Sequence, residues 1–303
     1  MRSIRANIIR FVSKQMFKRI SPDSDVNAVR ETFVKASSGR RIASGVATRD
    51  AKIADVDCLW LIPEGCEDAP ILYYLHGGAH ILGSPTTPRQ LVSYIARSAK
   101  MRALLPDYSL GPEKPFPAGL EDCLAVYREM LLSGQDASRI TIGGDSAGGG
   151  MTMAVLLSLR DAGHQLPDSA VLLSPWLDLT GSGESAKTRA GIDPWFRPDE
   201  MVHAARMYRP EGDLEDPLVS PVFGDMTGLP PIYVQVGDEE ILLSDSTRLR
   251  DKVEAAGGEL TLDIWPEMWH VFQFFVRQMP ESIRAVRDIA IFLKRRFGIF
   301  PAE

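Results

Sequence analysis

A group of glycines around one serine constrains this 303-residue chain more than any other feature of its sequence. The apolar, β-branched run Ile140–Ile142 leads into Gly144, Ser146 and Gly148, which form the pattern G-x-S-x-G. This pattern is typical of a sharp strand-to-helix turn. Glycine is needed on both sides of the serine because a side chain there would collide with the neighbouring backbone. The pattern predicts that Ser146 is exposed above a sheet.

Two chemistries fit such a turn. The amides at the start of the following helix, predicted over Met151–Leu159, would point at the serine and stabilise an oxyanion formed during acyl transfer. A glycine-rich strand-to-helix turn could equally bind a phosphate. No lysine follows the glycines, as a P-loop requires. The choice therefore depends on the rest of the chain.

Composition and charge narrow the class of protein. Apolar residues make up 45% and charged residues 24% of the chain, which is ordinary for a soluble globular protein with a full core. The net charge of -6 argues against a nucleic-acid partner, which would be expected to need a basic surface. The odd set of cysteines, Cys58, Cys66 and Cys123, indicates reduced thiols in a cytoplasmic protein, and none has metal-ligand spacing.

The N-terminal segment is basic and amphipathic. The first twenty residues contain six basic side chains and no acid, and apolar residues are interspersed among them. This pattern is not typical of a signal peptide or a transmembrane span, so we expect no stable membrane insertion. It predicts a cationic amphipathic helix, which either lies on an anionic membrane surface or packs on the protein itself. We favour the packed helix.

Short buried runs alternate with helical patterns along most of the chain. Strands are predicted at Thr32–Ala36, Val56–Ile62, Ile71–Leu75, Ala103–Pro106, from Ile140 onward, and at Ala170–Leu173, Ile232–Val236 and Leu260–Trp265. Helices are predicted at Pro88–Ala99, Ala118–Leu132, Met151–Leu159, Ser244–Ala256 and Glu281–Phe297. This alternation predicts an α/β fold with a mostly parallel sheet, helices on both faces and reactive groups at the carboxyl ends of the strands.

One segment, from Trp176 to about Pro217, breaks the alternation. It contains loop residues and a helical pattern over Pro198–Tyr208, but no buried-strand pattern. We interpret it as an insertion that forms a helical cap over the strand ends together with the N-terminal helix, whose apolar face would pack in this cap. The predicted division is a discontinuous cap, residues 1–45 and 177–217, and a catalytic domain, residues 46–176 and 218–303.

A serine nucleophile needs a base to take its proton and an acid to orient that base. Of the five histidines, His270 lies in the loop between the last predicted strand and the last helix, where a base is expected. Three successive acids, residues 238–240, follow the strand Ile232–Val236. Any of the three satisfies the chain order serine, acid, histidine that is typical of an α/β-hydrolase arrangement.

Two successive glycines, Gly77 and Gly78, follow the strand predicted at Ile71–Leu75. They allow backbone N–H groups to converge on a small volume. Together with the amide of Ala147, they predict an oxyanion hole with three donors.

With these features the chain resembles the bacterial hormone-sensitive-lipase-like (family IV) carboxylesterases of the α/β-hydrolase fold. The resemblance rests on motifs between about residue 70 and residue 272: His76-Gly77-Gly78, Asp107 to Glu113 with Pro115 to Ala118, Gly144 to Gly149, Ser174-Pro175-Trp176, Ser220-Pro221 and Leu229-Pro230-Pro231. It implies an eight-stranded sheet with a helical cap. It also implies hydrolysis of short- to medium-chain carboxylic esters without a metal or other cofactor.

The resemblance also selects one of the three acids. In the family's pattern the acid stands three residues after the glycine that ends its strand, and a leucine follows two residues later. Gly237, Glu240 and Leu242 match that register, and Asp238 is the second choice. The predicted catalytic triad is therefore Ser146, Glu240 and His270.

Two positions depart from the family's pattern. Ala79 replaces the third glycine of His-Gly-Gly-Gly, which we expect to be tolerated because that glycine gives room for the loop. His80 stands where the family more often has an aromatic residue, and we expect it to line the substrate pocket. The predicted substrate-binding residues are His80, Asp145 and Trp176.

Other functions are open on the same residues. A lactonase, deacetylase or amidase would use the same triad, since pocket shape and leaving-group protonation separate these reactions. A non-catalytic ligand receptor is a more distant alternative, because the histidine that such a receptor lacks is present as His270. The last predicted strand, Leu260–Trp265, would be an exposed edge, and edge pairing between two copies favours a homodimer.

Overall fold

One eight-stranded sheet organises the fold. The computed structural model describes residues 2–17 and 25–299. The strands are β1 (Val46–Ile53), β2 (Val56–Pro63), β3 (Ile71–Leu75), β4 (Arg102–Pro106), β5 (Ile140–Asp145), β6 (Ser169–Leu173), β7 (Ile232–Gly237) and β8 (Leu260–Trp265). Their order is β1-β2-β4-β3-β5-β6-β7-β8. β2 pairs antiparallel with both its neighbours, and the remaining pairs are parallel, so the predicted mostly parallel sheet is confirmed.

Helices cover both faces of this sheet. They are α1 (Ile4–Phe17), α2 (Val26–Ser38), α3 (Arg89–Ala99), α4 (Ala118–Leu132), α5 (Ala147–Asp161), α6 (Glu184–Thr188), α7 (Pro198–Tyr208), α8 (Leu243–Ala255) and α9 (Pro280–Arg296). Alternate residues of β3 point to opposite faces: Leu72 packs in one buried cluster with α3 and α9, and Tyr73 in another with α4, α5 and α8. The sheet therefore lies between two apolar layers.

The central strands explain why the parallel sheet could be predicted. Every residue of β3, β5, β6 and β7 is buried. A strand that is covered on both faces needs apolar or small side chains at successive positions, which gives a short continuous run rather than an alternation. Such runs are visible in the sequence.

The prediction of a strand at Thr32–Ala36 is wrong. These residues lie in α2, whose first turn is capped by Asp25, because its side chain accepts hydrogen bonds from the amides of Asn27 and Ala28. The first strand is instead β1, which is half-buried or exposed at every position and pairs with β2 alone. An edge strand of this kind carries no apolar run, so its sequence gives little signal.

The predicted insertion contains α6 and α7 and no strand. At the far edge of the sheet, β8 pairs with β7 alone, so the edge position predicted for this strand is confirmed. A homodimer through this edge stays a prediction. Across residues 2–17 and 25–299, none of the helices combines the length and the apolar character that crossing a bilayer requires.

The buried strands should carry most of the stability. Leu172, on β6, is fully buried, whereas Leu132, at the end of α4, is 81% exposed. We expect Leu172→Ala to lower the free energy of unfolding by about 2–5 kcal/mol, because it leaves a cavity between the packed layers. The matched substitution Leu132→Ala should change it by less than about 0.5 kcal/mol. Urea unfolding followed by tryptophan fluorescence measures both, and equal losses would contradict this account of the core.

Candidate active site

Ser146 occupies the turn between β5 and α5. Its backbone has φ 53° and ψ -123°, a strained conformation that non-glycine residues rarely adopt. A Cβ atom on Gly144 would lie 2.3 Å from the carbonyl oxygen of Gly148, and one on Gly148 would lie 2.1 Å from that of Leu75. Both glycines are therefore required for the close approach of β3, β5 and α5. The strand-turn-helix geometry predicted for this motif is present.

The structure brings Glu240, and not Asp238, against His270. The Nδ1 atom of His270 lies 2.8 Å from the Oε2 atom of Glu240, and both side chains are buried. The other carboxylate oxygen, Oε1, accepts hydrogen bonds from the Ser174 hydroxyl at 2.8 Å and from the Gly237 amide at 2.7 Å. Asp238 instead accepts a hydrogen bond from the amide of Glu267. The register chosen from the sequence thus agrees with the geometry.

Ser174 connects two loops of the site. It follows the carboxyl end of β6 and is fully buried. Its hydroxyl donates to Glu240 and accepts a hydrogen bond from the amide of Val271 at 3.1 Å, one residue beyond His270. Sequence analysis gave this residue no role of its own. Its position directly after a buried parallel strand was the available signal.

Asp193 fastens the insertion next to Glu240. Its Oδ1 atom accepts hydrogen bonds from the amides of Trp195 at 2.7 Å and Phe196 at 3.2 Å, and its Oδ2 atom accepts one from Ile241 at 3.0 Å. Burial raises the pKa of Asp193 to about 6, although the nearby His270 and these amides act in the opposite direction. The loop that precedes α7 is therefore bound directly to the residue that follows Glu240. Sequence analysis missed Asp193.

Two aromatic side chains cover His270. The rings of Trp195 and Phe196 lie edge-on to the imidazole, with centroid distances of 5.8 Å and 5.0 Å. Because Asp193 binds the amides of both residues, the same carboxylate holds both rings in place. The insertion thus forms one wall around His270.

Gly77 packs tightly against Asp145, since a Cβ atom on Gly77 would lie 2.3 Å from the carboxylate. The Tyr74 hydroxyl donates a hydrogen bond to this carboxylate at 2.9 Å. Burial raises the pKa of Asp145 to about 6, while the Tyr74 hydroxyl and the nearby Gly77 amide lower it. The role of Gly77 as an oxyanion donor stays a prediction.

Other amides near Ser146 are available. Within the described ranges, the amides of Gly78, Ala79 and Ala147 donate no hydrogen bond to a backbone oxygen. Ala79 has a positive φ of 54° and the following His80 one of 60°, so the loop turns sharply here. A strained loop that leaves its amides without acceptors is suited to binding a negatively charged oxygen.

The predicted substrate-binding residues are nearly fully buried. His80 is 3% exposed, and its ring stacks on Tyr208 of α7 with a centroid distance of 4.0 Å. The ring of Trp176 also stacks with that of His80, at a centroid distance of 5.9 Å. Burial lowers the pKa of His80 to about 3, which keeps it neutral. Asp145 is held by Tyr74 and Gly77 as described, and substrate binding by all three residues stays a prediction.

The sequence predicts three reduced thiols and no metal site. Cys58, Cys66 and Cys123 are buried and unpaired. Burial raises the pKa of Cys58 to about 12, so its thiol stays protonated and a poor nucleophile. Over the described residues, no group of three His, Cys, Asp or Glu side chains is placed to hold a metal ion.

Comparisons with known proteins agree with this fold. A family model for the α/β-hydrolase fold matches residues 72–274. An acetyl-hydrolase of Streptomyces hygroscopicus is 41% identical over 79% of this chain and 80% of its own length. The crystal structure of an esterase from the bacterial hormone-sensitive lipase family is 36% identical, covers 98% of this chain and 100% of its own, and superposes with a TM-score of 0.94. The esterase EstE5, in a crystal soaked with p-nitrophenyl butyrate, is 35% identical with a TM-score of 0.92, over 98% and 99% of the two chains.

The two solved structures cover 98% of this chain at 36% and 35% identity, and the acetyl-hydrolase covers 79% at 41%. The chain therefore belongs to the α/β-hydrolases and, within them, to the bacterial hormone-sensitive lipase family. The resemblance inferred from its sequence motifs is confirmed.

The buried His80 should make stability depend on pH. Its pKa is 6.5 when unfolded and about 3 when folded, so below pH 6.5 only the unfolded chain takes up the proton and stability falls. Between pH 7 and pH 5 this costs wild type about 2 kcal/mol. A His80→Gln variant lacks this loss, so its destabilisation should be smaller at pH 5 by that amount. Urea unfolding at both pH values tests this, with the exposed His164→Gln as control; a penalty for His80→Gln that is equal at both pH values would contradict it.

Proposed function

We propose that this protein is a serine carboxylesterase that hydrolyses short- to medium-chain esters through an acyl-enzyme on Ser146. The observation that carries the proposal is the buried 2.8 Å contact between His270 and Glu240. These residues follow β8 and β7, and Ser146 follows β5, so all three lie at the carboxyl edge of one parallel sheet. A nucleophile, a base and an orienting acid at one edge are the parts that acyl transfer needs.

The contact fixes the tautomer that the reaction requires. With Glu240 accepting at Nδ1, the imidazole of His270 keeps its hydrogen there and leaves Nε2 free to accept a proton. The hydroxyl oxygen of Ser146 then bonds to the ester carbonyl carbon as its proton passes to Nε2. His270 returns that proton to the departing alcohol, which leaves the acyl group on Ser146. Water repeats the sequence, releasing the acid and restoring the serine.

We assign the oxyanion hole to the amides of Gly77, Gly78 and Ala147. Within the described residues, none of these three amides donates a hydrogen bond to a backbone oxygen. Each donor would stabilise the tetrahedral oxyanion by about 3 kcal/mol. Asp145 then has a supporting role, since it holds the loop that carries two of the donors.

We further propose that residues 1–45 and 177–217 form a cap over this edge. Two contacts support this division. Arg30 of α2 donates hydrogen bonds to the carbonyl oxygens of Ile81 and Gly111, directly beyond the oxyanion loop. Tyr208 of α7 stacks on His80 in the same loop. Both parts of the proposed cap therefore touch the segment that would bind the oxyanion.

Substrate size, location and assembly are finer proposals. The names of relatives, an acetyl-hydrolase and an esterase soaked with a butyrate ester, support short acyl groups for this chain. The three unpaired cysteines support a reducing, cytoplasmic location. The unpaired edge of β8 supports a homodimer.

The nucleophile is tested with p-nitrophenyl esters from acetate to palmitate. We expect wild-type activity to peak at short or medium chains, and Ser146→Ala to lower kcat by about 10⁴-fold or more, because no other side chain replaces the nucleophile. Circular dichroism checks that the variant is folded. Residual turnover above a tenth of wild type would contradict the assignment, and a folded wild type that hydrolyses only lactones or amides would redirect it to those substrates.

The acid is tested by two matched substitutions. Glu240→Gln keeps the size of the side chain but presents an amide to His270, so we expect kcat to fall by about 10³–10⁴-fold, with KM changed little. Asp238→Asn can still accept the hydrogen bond from the Glu267 amide and should stay within about threefold of wild type. The opposite ranking of the two variants would make Asp238 the acid.

A further inference from the structure

The helix α1 is packed on the loop that carries His270. The backbone amide of Arg2 donates to Glu267 at 2.7 Å, and that of Ser3 donates to Glu281 at 2.7 Å. Ala6 is fully buried in a cluster with Met268, Trp269 and Phe272. Of the two interpretations of this helix, packing on the protein itself is confirmed. The face that meets the protein contains the buried Ala6 and Ser13 and the half-buried Ile9.

The outer face of α1 is apolar. Its members are Ile4, Ile8, Phe11 and Val12, which are 80%, 59%, 66% and 58% exposed. At about 100° of rotation per residue, they fall within one arc of about 100° on the side opposite Ala6. The exposed Gln15 falls in the same arc and ends the apolar stripe one turn after Phe11. Isolated apolar residues on a surface are normal, but a continuous stripe on one helix marks an interaction surface. We call this stripe the outer face.

Positive charge borders the outer face. Arg5 lies next to Val12 around the helix, and Lys14 lies toward the opposite border. Arg2 and Arg10 are paired with Glu239, whereas Arg5 and Lys14 form no ion pair with a described residue. Within α1 the charged residues are Arg5, Arg10 and Lys14, all basic, in a chain whose net charge is -6. The helix is therefore a local cationic site on an acidic protein.

We propose that the outer face of α1 docks on the surface of an anionic lipid membrane. An apolar stripe with a cationic border is the surface that a helix needs to lie in the headgroup region, with the apolar side chains among the acyl chains and the basic ones near the phosphates. The helix lies on the interface without crossing it. Docking itself does not require the proposed ester hydrolysis.

Docking through α1 would place the loop that carries His270 near the lipid surface. Because Ala6 packs on Trp269, next to His270, the docked helix holds the loop of the base close to the lipid surface. Arg10 also donates to the carbonyl oxygen of Ile192, which is 38% exposed and adds an apolar side chain beside α1. Apolar esters concentrate at such an interface, so the protein would dock where its proposed substrates are found.

The charge border argues against a second copy of this chain as the occupant. In a symmetric contact through the outer face, the same patch of both copies meets. Arg5 and Lys14 of one copy would then approach the same basic residues of the other, and like charges that face each other oppose association. An anionic surface has the complementary charge.

The experiment is flotation of the full-length protein with vesicles. The vesicles contain phosphatidylcholine alone, or phosphatidylcholine with about a third phosphatidylglycerol. We expect binding to the anionic vesicles, with at least a tenfold lower partition coefficient on neutral ones and in high salt. Ile8→Gln combined with Phe11→Gln should lower binding to anionic vesicles at least tenfold, and so should Arg5→Gln combined with Lys14→Gln. Arg5, Ile8 and Phe11 are exposed and Lys14 is half-buried, so the variants should stay folded. Thermal melting checks this.

The control variant is Leu132→Gln combined with Ile283→Gln. It removes two exposed apolar side chains, 81% and 54% exposed, from other helices and should bind like wild type. No binding by wild type, or equal loss in the control, would overturn the proposal. So would a concentration-dependent dimer without lipid that the Ile8 and Phe11 substitutions abolish. These variants should hydrolyse a soluble acetate ester at the wild-type rate. If neither wild type nor any variant hydrolyses it, the result would count against the proposed function and not against docking.

Discussion

The hydrogen bonds of the Glu240 carboxylate are the constraint on which the site depends. This side chain is fully buried, and a buried carboxylate is costly unless both its oxygens have partners. Its partners come from the ends of three strands: Ser174 after β6, Gly237 in β7 and His270 after β8. These strands are neighbours in the sheet and parallel, so their carboxyl ends meet. The order and direction of these strands therefore place three hydrogen-bond partners around the Glu240 carboxylate.

The sheet could be predicted where its strands are covered on both faces. Ile71–Leu75 and Ile232–Gly237 are buried at every position, and this requirement leaves apolar runs that the sequence displays. The prediction failed at the sheet's first edge. β1, Val46–Ile53, is held mainly by backbone hydrogen bonds to β2, and most of its side chains face solvent. Backbone pairing leaves little mark in side-chain composition, whereas the apolar residues of α2 favour a strand, which is why the pattern predicts the first strand at Thr32–Ala36.

The residues of the site divide in the same way. The positions of Ser146, between flanking glycines, and of His270, after the last strand, are local features of the sequence. Asp193 could not be found in this way, since its role depends on a hydrogen bond from the amide of Ile241, far along the chain. The glycine pair likewise predicted a tight loop, but not that Gly77 packs against Asp145. Contacts between distant segments depend on the fold, so the local sequence of neither segment predicts them.

The helix α1 shows the same limit. Its periodicity predicted an amphipathic helix that packs on the protein through its apolar face, and this prediction is wrong for Ile4, Ile8, Phe11 and Val12, which are exposed. The ion pair of Arg2 with Glu239 and the bonds of Ser3 to Glu281 orient the helix, with Ala6 and Ser13 inward and the apolar stripe outward. Burying Ile8 and Phe11 in the protein would have gained more free energy than burying Ala6, since more apolar area would leave water. A rotation that forgoes this gain and places basic side chains around the stripe is what the proposed docking on an anionic membrane requires, because the apolar stripe then leaves water on the outer side.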